Sequence, residues 1–266
     1  MAKHLVSPRS SRALRVLDRA YGLGRSLWMY YGRRGGGAAL DRFYREFVPA
    51  GGLGFDIGAH VGSRARSWSR LGASVVAVEP QQDFARFLRW LFRADARVTV
   101  RQEAVSSRSG TMTLLVSTRT PTVTSGSPSF VASTSRVPSF AWVNWDAKVQ
   151  VATVTLDMLI AQHGSPDFVK IDVEGMEHEV LGGLTRAIEA VSFEFVPSAP
   201  ASALASIRRL EELGRYEFNI SLGESLRLVF DHWLDSDALR RWLATLRPDS
   251  DSGDVYARRV GTKSDA

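Results

Sequence analysis

The stretch from Leu53 to Pro80 constrains this chain more than any other. It reads Leu-Gly-Phe-Asp-Ile-Gly-Ala-His-Val-Gly, then ten residues of helical character, then Ala-Ser-Val-Val-Ala-Val-Glu-Pro. Leu53 to Ile57 is short, apolar and ends in a turn signal, which predicts a buried strand. Gly58 and Gly62 bracket a tight turn, where glycine tolerates positive φ and close approach. From Gly62 the pattern becomes helical, with Ala65, Trp68 and Leu71 three apart, and Gly72 stands where a C-terminal cap belongs. Val75 to Val78 is a second buried strand, with Glu79 at its carboxyl end. In a strand–turn–helix–strand–acid unit the ligand lies outside the carboxyl ends of parallel strands, and the second-strand acid accepts from ribose hydroxyls.

The turn is Asp56-x-Gly58-x-x-x-Gly62 and lacks the central glycine of the dinucleotide fingerprint. An aspartate there would repel a pyrophosphate and suits a ligand with a cationic amino-acid end. S-adenosylmethionine carries both an ammonium and a sulfonium. With Glu79 seventeen residues after Gly62, the stretch resembles the first two motifs of Rossmann-like S-adenosylmethionine-dependent methyltransferases. Taken alone, it also fits any α/β domain with a tight turn.

The 266 residues suit one large domain, or one domain with appendages, and an apolar content of 44% is enough for a substantial core. There is no cysteine, which excludes disulfides, thiolate metal sites and cysteine nucleophiles. No run of 18 apolar residues exists, and the basic N-terminus lacks a continuous apolar region, so neither a spanning helix nor a secretory signal is expected and a cytoplasmic location is. Residues 1–37 hold Lys3, Arg9, Arg12, Arg15, Arg19, Arg25, Arg33 and Arg34 against Asp18 alone, a net +7 beside +6 for the whole chain. The high charge therefore belongs to this segment and says little about the rest. Here Leu14, Leu17, Tyr21, Trp28 and Tyr31 fall on one face of an amphipathic helix, weakened by Gly22 and Gly24. Two readings stand: a helix for peripheral membrane contact through residues 1–34, or one packed on the main domain or on a second subunit of a homo-oligomer. The chain divides into this segment (1–37) and a main domain (38–266).

Further along, Asp83 to Ala94 reads as a helix with Asp83 as N-cap, and Val98 to Val105 as the third strand. Glu103 and Ala104 fall where an adenine would lie in a doubly wound sheet; an exposed loop carboxylate is the competing reading for Glu103. Residues 117–148 are rich in Ser, Thr and Pro yet carry Trp142 and Trp145, which predicts a lid or a partly ordered insert. Its aromatic faces would suit a sugar ring or macrocycle, and its low basicity does not indicate a nucleic-acid groove. In Phe168-Val-Lys-Ile-Asp-Val-Glu174, Lys170, Asp172 and Glu174 are two apart and share one face of a strand. Such charges must pair or meet a ligand. Lys170 reads as a partner, with Asp172 and Glu174 toward a cleft. Val191 to Val196 is another strand carrying Glu194, a cleft acid or a solvated one, and strands are expected at 216–221, 226–230 and 254–259.

The pair Phe-Asp-Ile-Gly-Ala-His-Val-Gly (55–62) and Val-Lys-Ile-Asp-Val-Glu-Gly-Met-Glu (169–177) resembles the FkbM family of S-adenosylmethionine-dependent methyltransferases, as do Thr155-Leu-Asp157, Val180-Leu-Gly-Gly183 and Gly253-Asp-Val-Tyr-Ala-Arg258. The resemblance covers roughly residues 50–260. It implies an α/β class I methyltransferase fold, a seven-stranded, mostly parallel sheet with helices on both faces and an antiparallel last strand. It also implies methyl transfer from S-adenosylmethionine to an oxygen of a small-molecule acceptor, often a hydroxyl of a sugar, polyketide or other secondary metabolite. Carried over, Asp56, Gly58 and Gly62 would line the methionine end, Glu79 the ribose, and Asp172 and Glu174 the methyl and the acceptor.

A hydroxyl nucleophile must lose its proton as the new bond forms. His60, in the turn beside the ligand, is one candidate base, or a histidine that braces the turn; Asp172 is the other, with Glu174 beside it. Asp172, Glu174 and Glu194 offer oxygen ligands for Mg²⁺, but their spacing is not diagnostic and no metal is expected. The competing class is a non-catalytic scaffold of the same fold.

Overall fold

In the computed structural model, residues 8–32 and 36–261 are described. The elements run α1 (Pro8–Tyr31), α2 (Gly36–Tyr44), β1 (Leu53–Ile57), α3 (Ser63–Arg70), β2 (Ser74–Val78), α4 (Gln82–Leu91), β3 (Val98–Arg101), β4 (Ala104–Val105), β5 (Gly110–Val116) and α5 (Pro128–Thr134). Then follow β6 (Ala147–Val154), α6 (Leu156–His163), β7 (Phe168–Ile171), α7 (Glu177–Gly182), β8 (Ala190–Phe195), α8 (Ala201–Leu213), β9 (Tyr216–Leu222), α9 (Ser236–Leu243) and β10 (Gly253–Arg259). The main sheet has seven strands in the order β3-β2-β1-β7-β8-β10-β9. The first five are parallel neighbours, and β10 runs antiparallel between β8 and β9. The expected sheet is therefore present.

Alternation along the strands divides the core into two layers. Phe55, Ile57, Val76, Val78, Val169 and Ile171 face α6, α7 and α8. Val75, Ala77, Phe168 and Tyr256 face α2 and α3, where Tyr44 and Trp68 are buried. Asp56 and Lys170 are register partners, and so are Lys170 and Ser192. Polar side chains therefore share the α3 side, and continuing that side past the strand ends brings in Asp172.

Three local expectations change. The 98–105 strand is broken: β3 ends at Arg101, and β4 joins a separate three-stranded sheet in the order β4-β6-β5. The break lies at Gln102-Glu103, where Arg101 folds back on Glu103 with a 2.8 Å hydrogen bond. Residues 226–230 form no strand, because the Asn219 side chain takes the place of a ladder partner: Phe230 N donates to its Oδ1 and its Nδ2 donates to Phe230 O. Asp83 is not an N-cap. The helix starts earlier, after Gln81, whose N–H donates to the Glu79 carboxylate at 2.8 Å.

α1 packs on the domain, against α2, α4 and the 3₁₀ turn at Pro121–Val123. Tyr31 fixes it by donating its hydroxyl to Val61 O at 2.8 Å. Leu17, Tyr21 and Trp28 stay exposed on its outer side, Trp28 at 78%. Lys3, Arg33 and Arg34 lie outside the described residues, as do the side chains of Arg9, Arg12, Leu14 and Arg15. Among the described residues no helix is long and apolar enough to cross a membrane.

Candidate active site

A cleft with about 1200 Å³ of empty space, the open solvent at its mouth included, lies at the carboxyl ends of β1, β2, β7 and β8. β1 has β2 on one side and β7 on the other, so the chain reverses its winding here, which is where ligands enter open α/β sheets.

The turn after β1 builds one wall. Gly58 has φ +82, and a Cβ there would lie 1.9 Å from Asp172 O. Only glycine lets the turn press this closely on the exit of β7. The contact brings Gly58, His60 and Asp172 to one side of the cleft. Asp56 and Gly62 sit behind that wall. Asp56 is 3% exposed and accepts from Ala65 N at 3.1 Å, holding the first turn of α3. Gly62, at φ +74, lies beneath Leu88 and Phe92.

Glu79 lines the cleft with its carboxylate fixed by two backbone donors, His60 N at 2.9 Å and Gln81 N at 2.8 Å. Burial pushes it up to about 7. His60 stands at φ +49, its ring centroid 5.6 Å from Tyr30 and 4.4 Å from Phe84. Its Nε2 is buried without a partner among the described residues, and burial holds the ring at about 4. A neutral imidazole this hard to protonate is a weak base at pH 7 and fits a bracing role.

Glu103 and Ala104 line the far end, with apolar Ile57, Val78 and Val105. The 117–148 segment is folded and supplies the roof through Pro121, Thr122, Thr124 and Gly126. Trp145 holds it by donating Nε1–H to Val123 O at 3.0 Å, and Ser125 exchanges backbone bonds with Leu115. Neither Trp142 nor Trp145 lines the cleft, so the expected aromatic platform is not formed by them.

The floor is acidic. Lys170, 1% exposed, holds Asp254 at 2.7 Å and Asp172 at 3.4 Å. One ammonium serves two carboxylates, so Asp172 is held below the usual carboxylate range while burial beside it pushes Asp254 up. Carboxylate oxygens of Asp172, Glu174 and Glu194 lie within 4.8 Å of one another. Burial and mutual repulsion push Glu174 and Glu194 well up. Glu174 is held in place by its backbone, at φ +54, with its carbonyl accepting from Ser125 Oγ at 2.6 Å.

Sequence reasoning brought Gly58, His60, Glu79, Glu103, Ala104, Asp172, Glu174 and Glu194 to this cleft; it missed Tyr30, Arg64, Glu224 and Asp254. Asp254 carried a signal, being the acid of Gly253-Asp-Val-Tyr. Arg64 and Tyr30 carried none, since a basic helix residue and an amphipathic aromatic are commonplace.

A family model of the methyltransferase FkbM domain matches residues 56–218, from the β1 aspartate into β9. The chain belongs to the FkbM methyltransferase family. S-adenosylmethionine is the cofactor of this family. The chain is 30% identical over 145 residues to the hexuronic acid methyltransferase AglP of Haloferax volcanii, a match covering 53% of this chain and 54% of that protein. It thus spans about half the length of the curated relative it matches. Among solved structures, a TehB-like S-adenosylmethionine-dependent methyltransferase from Corynebacterium glutamicum is similar, with a TM-score of 0.49, 11% identity and coverage of 92% of this chain and 98% of that one. The O-methyltransferase from Bacillus cereus gives 0.43 and 14%, covering 96% and 93%. At TM-scores below 0.5 neither likeness bears on the site.

The residues of this FkbM-family chain fit the cofactor. Glu79 is an oriented acceptor at the end of β2, the Gly58 turn lines the cleft beside Asp172, and the apolar end beside Ala104 suits a purine. The acidic floor suits a cation.

Proposed function

We propose that this chain methylates a hydroxyl oxygen of a sugar acceptor, with a hexuronic acid or its glycoside as the first class to consider. The observation that carries the reading is the cleft itself, which joins an end lined by Glu79 and Ala104 to a cluster of three close carboxyls at Asp172, Glu174 and Glu194. The name of the Haloferax relative supports a sugar acid as acceptor.

S-adenosylmethionine, when bound, supplies an electrophilic methyl group. Glu79 would hold its ribose, Ala104 and Val105 its purine, and the Gly58 turn its amino-acid end. Lys170 keeps Asp172 ionised, which gives the floor a fixed negative charge. A cation above it draws Glu174 and Glu194 toward their ionised forms, since opposite charge favours the charged state. Glu174 would then serve as the base, its carboxylate taking the proton of the acceptor hydroxyl. A carboxyl pushed up from its ordinary range is better matched to that task than His60. Holding acceptor and methyl in line contributes several kcal/mol through orientation.

Calorimetric titration with S-adenosylhomocysteine, with NADH as control, tests the site. Micromolar binding of the first and none of the second is expected; turnover is then sought with methyl glucuronide and methyl glucoside. Binding without methylation of any glycoside or polyketide hydroxyl would favour a scaffold role.

A further inference from the structure

Arg64 is the one cleft-lining arginine among the described residues, and nothing in the proposed chemistry uses it. It sits in the first turn of α3, beside His60, with its guanidinium 5.4 Å from the centroid of Tyr30. Its side chain is nearly buried, and its Nε–H is buried with no acceptor among the described residues. One terminal nitrogen takes both oxygens of Glu224, at 2.7 and 2.8 Å. Glu224 itself is 54% exposed and follows Gly223, at φ +48, in the loop after β9. The pair is therefore unequal: a guanidinium built into the wall is met by a carboxylate reaching in from a surface loop. Pairs with one exposed partner contribute little and are readily exchanged. Arginine is also the side chain best suited to hold a planar carboxylate.

We infer that Arg64 is the carboxylate-receiving residue of the cleft and that Glu224 fills its place until a ligand carboxylate displaces it. The inference rests on the methyltransferase reading of the cleft. The ligand chemistry is a carboxylate, available from two sources: the α-carboxylate of the cofactor or the carboxylate of a uronic acceptor.

The test is calorimetry on wild type, Glu224→Gln and Arg64→Gln with four probes: S-adenosylhomocysteine, 5′-methylthioadenosine (the same nucleoside without the amino acid), methyl glucuronide and methyl glucoside. Glu224→Gln removes the internal competitor and should tighten the matching carboxylate ligand about 1.5- to 5-fold. Arg64→Gln should weaken the same ligand about 10- to 100-fold while 5′-methylthioadenosine and methyl glucoside are unmoved. If S-adenosylhomocysteine responds, the cofactor supplies the carboxylate; if methyl glucuronide responds, the acceptor does. Weaker or unchanged binding of both in Glu224→Gln would overturn the inference, since a structural latch predicts that sign. Thermal melts control for folding. Failure of wild type to bind either nucleoside would instead remove the methyltransferase reading, and the glucuronide arm would still test Arg64.

Discussion

Replacing Lys170 by methionine isolates what the buried ammonium does. The variant keeps the volume of the stem but leaves Asp172 and Asp254, 3.4 and 2.7 Å from the lost nitrogen, without their cation. Removing one partner of a buried ion pair costs about 3–5 kcal/mol, because the remaining charge is uncompensated. At roughly 2–4 °C per kcal/mol for a chain of this size class, the melting temperature should fall by about 6–20 °C near pH 7.5. The pH dependence has a definite sign. Without Lys170 both carboxyls have folded-state pKa values raised above their unfolded ones. Their penalty is absent below the unfolded value near 4 and grows as pH rises through the raised values. The deficit against wild type should therefore shrink between pH 7.5 and pH 5. Adding Asp254→Asn should recover part of the loss. Scanning calorimetry at the two pH values decides the matter. A melting temperature within 2 °C of wild type at pH 7.5, or a deficit that grows on acidification, would refute the buried-triad argument.

Other outcomes follow from the same geometry. Glu79→Ala should weaken S-adenosylhomocysteine at least tenfold by calorimetry, as expected for losing hydrogen bonds to a charged acceptor, whereas Asp56→Asn should act mainly on stability, by about 1 kcal/mol through the first turn of α3. Because Glu174 and Glu194 are pushed up and Glu79 lies at about 7, cationic S-adenosylmethionine should gain affinity over neutral-sulfur S-adenosylhomocysteine as pH rises from 6 to 8. A ratio flat across that range would contradict the acidic floor. Gly58→Ala, with its Cβ 1.9 Å from Asp172 O, should lose at least about 2 kcal/mol of stability along with nucleoside binding. Glu174→Gln should lower kcat with little change in S-adenosylhomocysteine affinity; an unaltered kcat would remove Glu174 as the base.

Local pattern determined much of this protein. Short apolar runs ending in glycine or acid marked β1, β2 and β7, and period-3.6 stripes marked the helices between them, because burial on a sheet face and on a helix stripe each leave a sequence period. The acids were legible for the same reason: a charge in an otherwise apolar strand has few destinations. Tertiary structure decided the rest. It placed Asp56 behind the wall rather than in it, since its nearest donor turned out to be Ala65 N. It paired Lys170 with Asp254, 84 residues away, more closely than with Asp172. It turned the 117–148 segment into a pinned roof with its tryptophans outside, and it carried Tyr30 and Arg64 into the cleft. Contacts between residues far apart in the chain depend on sheet order and on which helix crosses which strand end, and no local period records either.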